Sequence, residues 1–317
     1  MMSKRQRTNS SSGARQQTTL LGLWKKPEED KQSADDDNLS SGRKRERDDD
    51  SDLSTPRPAS INNTVTSLLT GSKQPQWENI SLHNNAPMLI LRGGIGGKKK
   101  TSMRKSLAAL PDWNENVTFH AFGRECTMRR RICQYSLQGK FTYSYSGLKN
   151  VQASAFPSNL YEIKCQVEDL MIEYILSNLE TIEKDLSLSS EFIELVKQSA
   201  ARSKQDEQRL DIFNYCLLNH YRNGQEYMSY HSDDEASLCQ YSPIASISFG
   251  VTRSFDIRQK MTKGNKNETR SRIARIPLGD GDILLMFPPM QQYYEHALPV
   301  EKRVVGERIN LTFRRFV

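Results

Sequence analysis

The apolar positions of the chain change their period twice. Residues 117–135 and 141–146 read as strands. In the second stretch Phe141, Tyr143 and Tyr145 alternate with Thr142, Ser144 and Ser146, the two-residue period of a half-buried strand. Over 159–179 and 188–203 the spacing turns helical, with Leu160, Ile163, Val167, Leu170, Met171 and Tyr174 recurring three and four apart. From Phe213 onward short runs return, separated by turn residues. Strands are predicted near 213–222, 227–231, 243–250, 253–259, 272–277, 282–287, 291–297 and 308–316. Eight short strands behind a helical segment predict a mainly β fold with flanking helices, in which two sheets form a jelly roll and the helices brace one of them.

Composition divides the chain. Residues 1–60 hold 12 Lys/Arg, 11 Asp/Glu and only 11 apolar residues, too few to offset chain entropy by burial, so a disordered tail is expected there. The stretch that follows has one apolar patch, Met88–Leu91, then Gly93–Gly97 and three lysines; its spacing is not that of a phosphate-binding loop, and it reads as a flexible basic linker. The expected division is therefore a tail over 1–110 and an ordered domain over 111–317. No run of about 18 apolar residues occurs, and no membrane span is expected. The basic start lacks the apolar stretch of a signal peptide. Five scattered cysteines argue against both a disulfide framework and a zinc finger, and for a reduced intracellular setting. A net charge of +7 suits a polyanion-binding protein. Lys25-Lys26 and Arg43-Lys44-Arg45 form a loose bipartite nuclear-localisation pattern, balanced by the reading of a solvated polyampholyte tail.

Candidate chemistry lies in the strand-rich half. His231 and Asp233 stand two apart at the end of one predicted strand, and His296 ends another. Two imidazoles and one carboxylate, with further coordination positions open, make the facial triad of non-haem iron(II) oxygenases. Alone the pattern is weak, because an HxD arises easily by chance. The segment Arg308–Arg314 sharpens it. Arg308, Asn310, Thr312 and Arg314 share one strand face while Ile309, Leu311 and Phe313 share the other. Two guanidinium groups on an interior face call for an anionic ligand, and a dicarboxylate would satisfy both. Asn219 and Tyr221 likewise share a face and offer further polar contacts.

With these residues in view, the chain from about Phe119 to Val317 resembles the AlkB family of iron(II)- and 2-oxoglutarate-dependent dioxygenases. The resemblance is carried by Asn219-x-Tyr221, His231-x-Asp233-Asp234-Glu235, Ser242–Gly250, His296–Pro299 and Arg308-x-Asn310-x-Thr312-x-Arg314. Their order is most similar to that in the nuclear homologues that repair alkylated DNA. The resemblance implies iron(II) at His231, Asp233 and His296. It implies 2-oxoglutarate at Asn219, Tyr221, Arg308, Asn310, Thr312 and Arg314, without saying which arginine takes which carboxylate. It implies O2 as the second co-substrate, and a reaction in which decarboxylation to succinate is coupled to hydroxylation of an N-alkyl group and release of formaldehyde. The implied substrates are 1-methyladenine and 3-methylcytosine in DNA; RNA, a protein side chain, or a silent DNA- or clamp-binding role are the alternatives.

A base reaches a buried iron only when unpaired or flipped out. Phe119–Arg124 resembles the finger of homologues that act on duplexes, which makes Phe122 the wedge that fills the gap. Tyr135, Tyr143 and Asp234 are candidates for the flipped base; the carboxylate of Asp234 would favour the cationic methylated bases. Arg129, Arg130 and Arg131 are expected at phosphates, together with the basic residues of 252–275, which holds eight Lys/Arg against two acids. Finally, residues 17–24 (Gln17 to Trp24) resemble the peptide that docks on the sliding clamp PCNA, with Leu23 in place of the first aromatic. The expectation as a whole is a monomeric, nuclear DNA dealkylase.

Overall fold

The structure, a computed structural model, describes residues 75–317 apart from 83–85, 98, 122–123, 138, 140–141, 146–147, 181, 183–187, 205–208, 236 and 262–270. Its largest element is an eight-stranded sheet. In spatial order it contains β1 (Trp77–Leu82), β2 (Ala86–Leu91), β14 (Ile283–Met286), β11 (Ile244–Gly250), β16 (Arg308–Arg314), β9 (Tyr215–Tyr221), β5 (Arg131–Ser136) and β8 (Ser154–Ala155). A four-stranded sheet of β10 (Met228–His231), β15 (Tyr294–Leu298), β12 (Arg253–Gln259) and β13 (Arg272–Leu278) forms the second layer. Two hairpins stand apart: β3 (Thr118–Ala121) with β4 (Arg124–Thr127), and β6 (Thr142–Tyr145) with β7 (Leu148–Gln152). Two-sheet jelly-roll architecture with few helices is therefore what the chain adopts.

Helices α1 (Lys99–Ala108), α2 (Ser158–Ser177) and α3 (Ser190–Lys204) add to this, with a single turn α4 (Met290–Tyr293) before β15. On α2, Leu160, Ile163, Val167, Met171 and Ile175 recur at three- and four-residue spacing, and all are fully buried. They join Phe192 and Val196 of α3 in a core with Cys133, Leu218, Ile247, Phe249, Ile309, Leu311 and Phe313 of the large sheet. Each such side chain contributes roughly 1.5–3 kcal/mol by leaving water. A second core fills the space between the sheets, with Ile132, Leu217, Leu284 and Met286 on one side and Phe255, Ile257, Ile276 and Leu278 on the other. The helices thus cover one face of the large sheet, and its other face looks into the sandwich.

α2 also carries two charges into its buried face. Lys164 and Glu168 are both fully buried and pair at 3.0 Å, while Lys164 also pairs with Asp211. Glu168 Oε1 accepts the backbone N–H groups of Ile212 at 3.0 Å and Phe213 at 2.7 Å. This network ties the helix to the segment that enters β9.

Order begins earlier than Pro111. β1 and β2 form a hairpin that pairs with β14, Leu91 lying opposite Ile283 and Met88 opposite Met286, so the boundary expected at 110/111 is corrected. The expected flexible linker at 93–100 is corrected too. Asp282 holds the glycine turn by accepting Gly93 N–H at 2.9 Å, Gly279 N–H at 2.9 Å and a guanidinium N–H of Arg92 at 2.9 Å, and α1 follows directly. The tail expected over residues 1–60 lies outside the described residues.

Candidate active site

Strand pairing brings the two histidines together. β10 pairs antiparallel with β15 so that His231 stands opposite His296, with ring centroids 4.3 Å apart. β10 ends at His231, so Asp233 is placed by a loop rather than by the strand alternation that its spacing suggested. That loop is tied down at two points: Ser232 Oγ donates to Tyr294 O at 2.8 Å, and the backbone N–H of Asp233 donates to Gln291 Oε1 at 2.9 Å. One ligand atom from each of His231, Asp233 and His296 lies within 4.8 Å of the others.

The protonation states suit a cation. Burial, reinforced by the neighbouring His231, holds the His296 imidazole down to about 3, and burial also lowers His231, so both rings are neutral with lone pairs to give. Asp233 is held below the usual carboxylate range: burial alone would raise it, but the Arg314 guanidinium, with Nη2 2.8 Å from Oδ1, outweighs that. His231 Nδ1 lies 2.9 Å from the carbonyl oxygen of Ser229, which as acceptor leaves Nε2 for coordination. Nδ1 of His296 is buried without a hydrogen-bond partner. Two neutral imidazoles and an ionised carboxylate fit a divalent iron ion.

Beside this cluster, β16 lines the same pocket. Its register sets Arg308 opposite Tyr221 and Asn310 opposite Asn219 on β9, and Gly250 opposite Arg308 on β11. Gly250 sits at φ +96°, and a Cβ there would come within 2.2 Å of Glu307 O, so only glycine lets the two strands close at this point. Ile309, Leu311 and Phe313 face the helices; Arg308, Asn310, Thr312 and Arg314 face the pocket with Leu217, Asn219 and Tyr221. The two arginines end up in different places. Arg314 lies against Asp233, whereas Arg308 lies at Tyr221, 5.7 Å from its ring centroid. Arg308 donates to Ser248 Oγ at 2.9 Å, and its buried Nε has no acceptor. Burial lowers its guanidinium to about 10, still charged at neutral pH. A buried cation with an unmet donor is costly unless an anion arrives, and a carboxylate answers both needs.

The supporting side chains were not singled out by the strand alternation. Ser246 Oγ accepts Asn310 Nδ2 at 2.8 Å, and Gln291 braces Asp233. Ser246 and Ser248 alternate with Ala245, Ile247 and Phe249 along β11, the same two-face pattern that marked β16.

The profile of the 2OG-Fe(II) oxygenase superfamily matches residues 88–314, most of the chain. The chain belongs to that superfamily. The name of that superfamily carries iron(II) and 2-oxoglutarate, and the His–Asp–His cluster fits the metal. The oxygenase is 42% identical over 105 residues to human DNA oxidative demethylase ALKBH2, a match that covers 33% of this chain and 40% of the relative. It is 42% identical over 103 residues to human alkB homolog 3, covering 32% and 36% respectively. Arabidopsis thaliana DNA oxidative demethylase ALKBH2 is 25% identical over 262 residues, covering 77% of this chain and 71% of that one. The matches therefore span about two fifths of the mammalian relatives.

Residues expected to meet the nucleic acid fall in several places on the oxygenase. Tyr135 is corrected: it pairs with Cys216, and so faces the helices rather than the pocket, 1% exposed, its hydroxyl donating to Asp112 at 2.7 Å. Arg130 is buried and donates from Nε to Asn219 Oδ1 at 2.6 Å, which puts it behind a pocket-lining residue instead of on the surface. Arg131 pairs with Glu115. Arg253, expected at a phosphate, is corrected: it is 1% exposed and fully engaged inside the fold. Asp234 is exposed and pairs with Lys260 at 3.1 Å. Arg258 pairs with Glu295 at 2.6 Å beneath the Tyr230 ring, while Arg272 keeps 45% of its side chain exposed. Tyr143 falls on β6. Phe122, much of the basic loop (262–270) and the clamp-like residues 17–24 lie outside the described residues. All five cysteines are free. Among the described residues no helix is long and apolar enough to cross a membrane.

Proposed function

We propose that the oxygenase is a DNA oxidative demethylase that removes N-alkyl groups from 1-methyladenine and 3-methylcytosine by direct reversal, releasing formaldehyde. The observation that carries this reading is one pocket holding a His–Asp–His cluster and, at its other end, a buried arginine without a carboxylate partner. The names of its relatives support the DNA substrate.

His231, Asp233 and His296 would hold the iron. Arg314, already bound to Asp233, would lie next to the metal-proximal end of 2-oxoglutarate, and Arg308, with Tyr221 and Asn219, would receive the distal carboxylate; Asn310 and Thr312 line the wall between. When bound, iron(II) would let O2 act as the oxidant, one oxygen atom going to 2-oxoglutarate, which leaves as succinate and CO2, and the other to the N-alkyl carbon, whose hydroxylated group would leave as formaldehyde. The chain's own part is to keep both imidazoles neutral, to keep Asp233 ionised and aimed, and to exclude water with Leu217, Met228, Phe255 and Leu298.

For the nucleic acid, Phe122 would fill the gap left by the flipped base and Tyr143 would contact that base. Asp234, whose carboxylate meets a lysine in the free protein, would favour cationic bases. Arg272 and the basic loop would meet phosphates. Residues 17–24 would bind the sliding clamp in the nucleus, the enzyme acting as a monomer. Changing Leu20 and Trp24 to Ala should abolish capture of that peptide by PCNA; equal capture of both peptides would remove the idea.

The deciding assay supplies iron(II), 2-oxoglutarate and a duplex bearing 1-methyladenine. Succinate and formaldehyde should appear in step with loss of the lesion, and none with His231→Ala. Succinate without repair would reject DNA and redirect the search to RNA or protein substrates, and no turnover by iron-loaded protein would overturn the enzymatic reading.

A further inference from the structure

Behind the pocket wall lies a further guanidinium that the chemistry above does not use. Arg253, at the start of β12, has its Cζ 5.9 Å from the Tyr221 ring centroid, close to the 5.7 Å of Arg308. Its donors are spent on two separate segments, the turn after β9 and the loop after β15. Nε donates to Glu301 Oε2 at 2.9 Å, Nη1 to Asn223 O at 3.1 Å, and Nη2 to Glu226 O at 2.9 Å and Pro299 O at 2.7 Å. Glu301 is held in turn by the backbone N–H of Ser254 at 3.0 Å and its hydroxyl at 2.8 Å.

These contacts converge on the turn that leaves β9 just after Tyr221. The turn touches the 299–304 loop closely: Glu301 N–H donates to Gly224 O at 2.7 Å, and a Cβ on Gly224 would stand 2.0 Å from Glu301 O. A planar fork with five N–H groups can meet four acceptors on two segments at once, which a lysine with three donors cannot. The charge of Arg253 also lies near Arg308, adding to the burial that lowers Arg308, with Glu301 opposing it.

We propose that Arg253, fixed by Glu301, is a positioning residue for the dicarboxylate co-substrate: by locking the 223–226 turn it sets Tyr221 against Arg308, where the carboxylate remote from the metal is received. This inference rests on the orientation of 2-oxoglutarate given above. Arg253 touches neither the metal cluster nor the pocket surface, so its effect should be confined to one end of the ligand.

The test uses the full chain loaded with Mn(II), which binds without turnover, and compares two ligands by calorimetry. 2-Oxoglutarate carries the distal carboxylate; 2-oxobutyrate shares the 2-oxo acid head and ends in a methyl group. Arg253→Lys and Arg253→Met should each weaken 2-oxoglutarate binding about tenfold, as loss of a supporting shell typically does, while 2-oxobutyrate binding stays unchanged. Should Arg253→Met fail to fold, Arg253→Lys decides alone. Unchanged 2-oxoglutarate affinity, or equal weakening of both acids, overturns the proposal, because a staple of the fold has no reason to discriminate between them. Arg308→Met separates the two layers of the argument. If it too weakens both acids equally, the orientation itself fails and the inference with it; if it alone is selective, the orientation stands and Arg253 is only structural.

Discussion

Single side chains decide how the pocket is charged, and Ser248 makes this measurable. Its hydroxyl is the acceptor for the Nη2 group of Arg308, one of the two buried pocket cations. Ser248→Ala should leave that donor unmet and reduce 2-oxoglutarate affinity by about 1.5–3 kcal/mol, the usual worth of a hydrogen bond to a charged group; titration of the Mn(II)-loaded protein reads it, and no change would mean that water replaces the serine. At this scale the sequence was legible where chemistry and period coincide. On β16 every second residue is polar within an otherwise apolar strand, and that alone separated the two faces. It was not legible where identity outran geometry. Tyr135 has the right chemistry for a nucleobase, yet a one-position difference in phase turns it toward the helices. Arg253 sits among basic neighbours, and no composition count distinguishes a buried staple from a phosphate contact.

Among the elements, the turn built on Asp282 is held by a charge that pH can remove. Burial would raise this carboxylate, but the N–H groups of Gly279 and Gly93 and the Arg92 guanidinium bring it below its ordinary value. A carboxylate lowered on folding stabilises fully above its unfolded-state pKa, and that stabilisation fades as pH falls through the folded one. Asp282→Asn should therefore cost about 1–3 kcal/mol near neutrality, and the gap to the unmodified protein should narrow progressively below pH about 4. Urea unfolding at several pH values would detect this, and a gap independent of pH would show that the carboxylate's charge is irrelevant. The helical and strand periods marked α2, α3 and most of the later strands to within a few residues. The turn α4 was read as strand because Tyr293 and Tyr294 are strand-favouring residues, though only the second lies in β15.

Across the whole molecule, the missed elements are those stabilised by distant partners. β1 reads Trp-Glu-Asn-Ile-Ser-Leu, too polar to announce itself, and its place depends on β2 beside it and on Trp77 meeting Tyr174 of α2 at 5.6 Å between ring centroids. α1 begins in a lysine run that looks like linker from sequence alone. A chain starting at Pro111 would lose β1, β2 and α1 and leave the hydrogen-bonding edge of β14 bare, an invitation to aggregate. Such a chain should elute as aggregate and lose cooperative thermal unfolding, whereas the full chain should unfold in one step over its folded part; monomeric, cooperative behaviour of the shortened chain would refute the role given to the hairpin.

The position of β16 also bears on how the protein is made. Among the described strands it comes last in chain order, yet it lies between β9 and β11, which leave the ribosome before it. Until it emerges, the large sheet is two halves with facing unpaired edges, and the pocket lacks Arg308, Asn310, Thr312 and Arg314. Translation that stops short of Arg308 would therefore yield a chain that is both unclosed and inert, conspicuous to the cell's quality control and unable to consume 2-oxoglutarate.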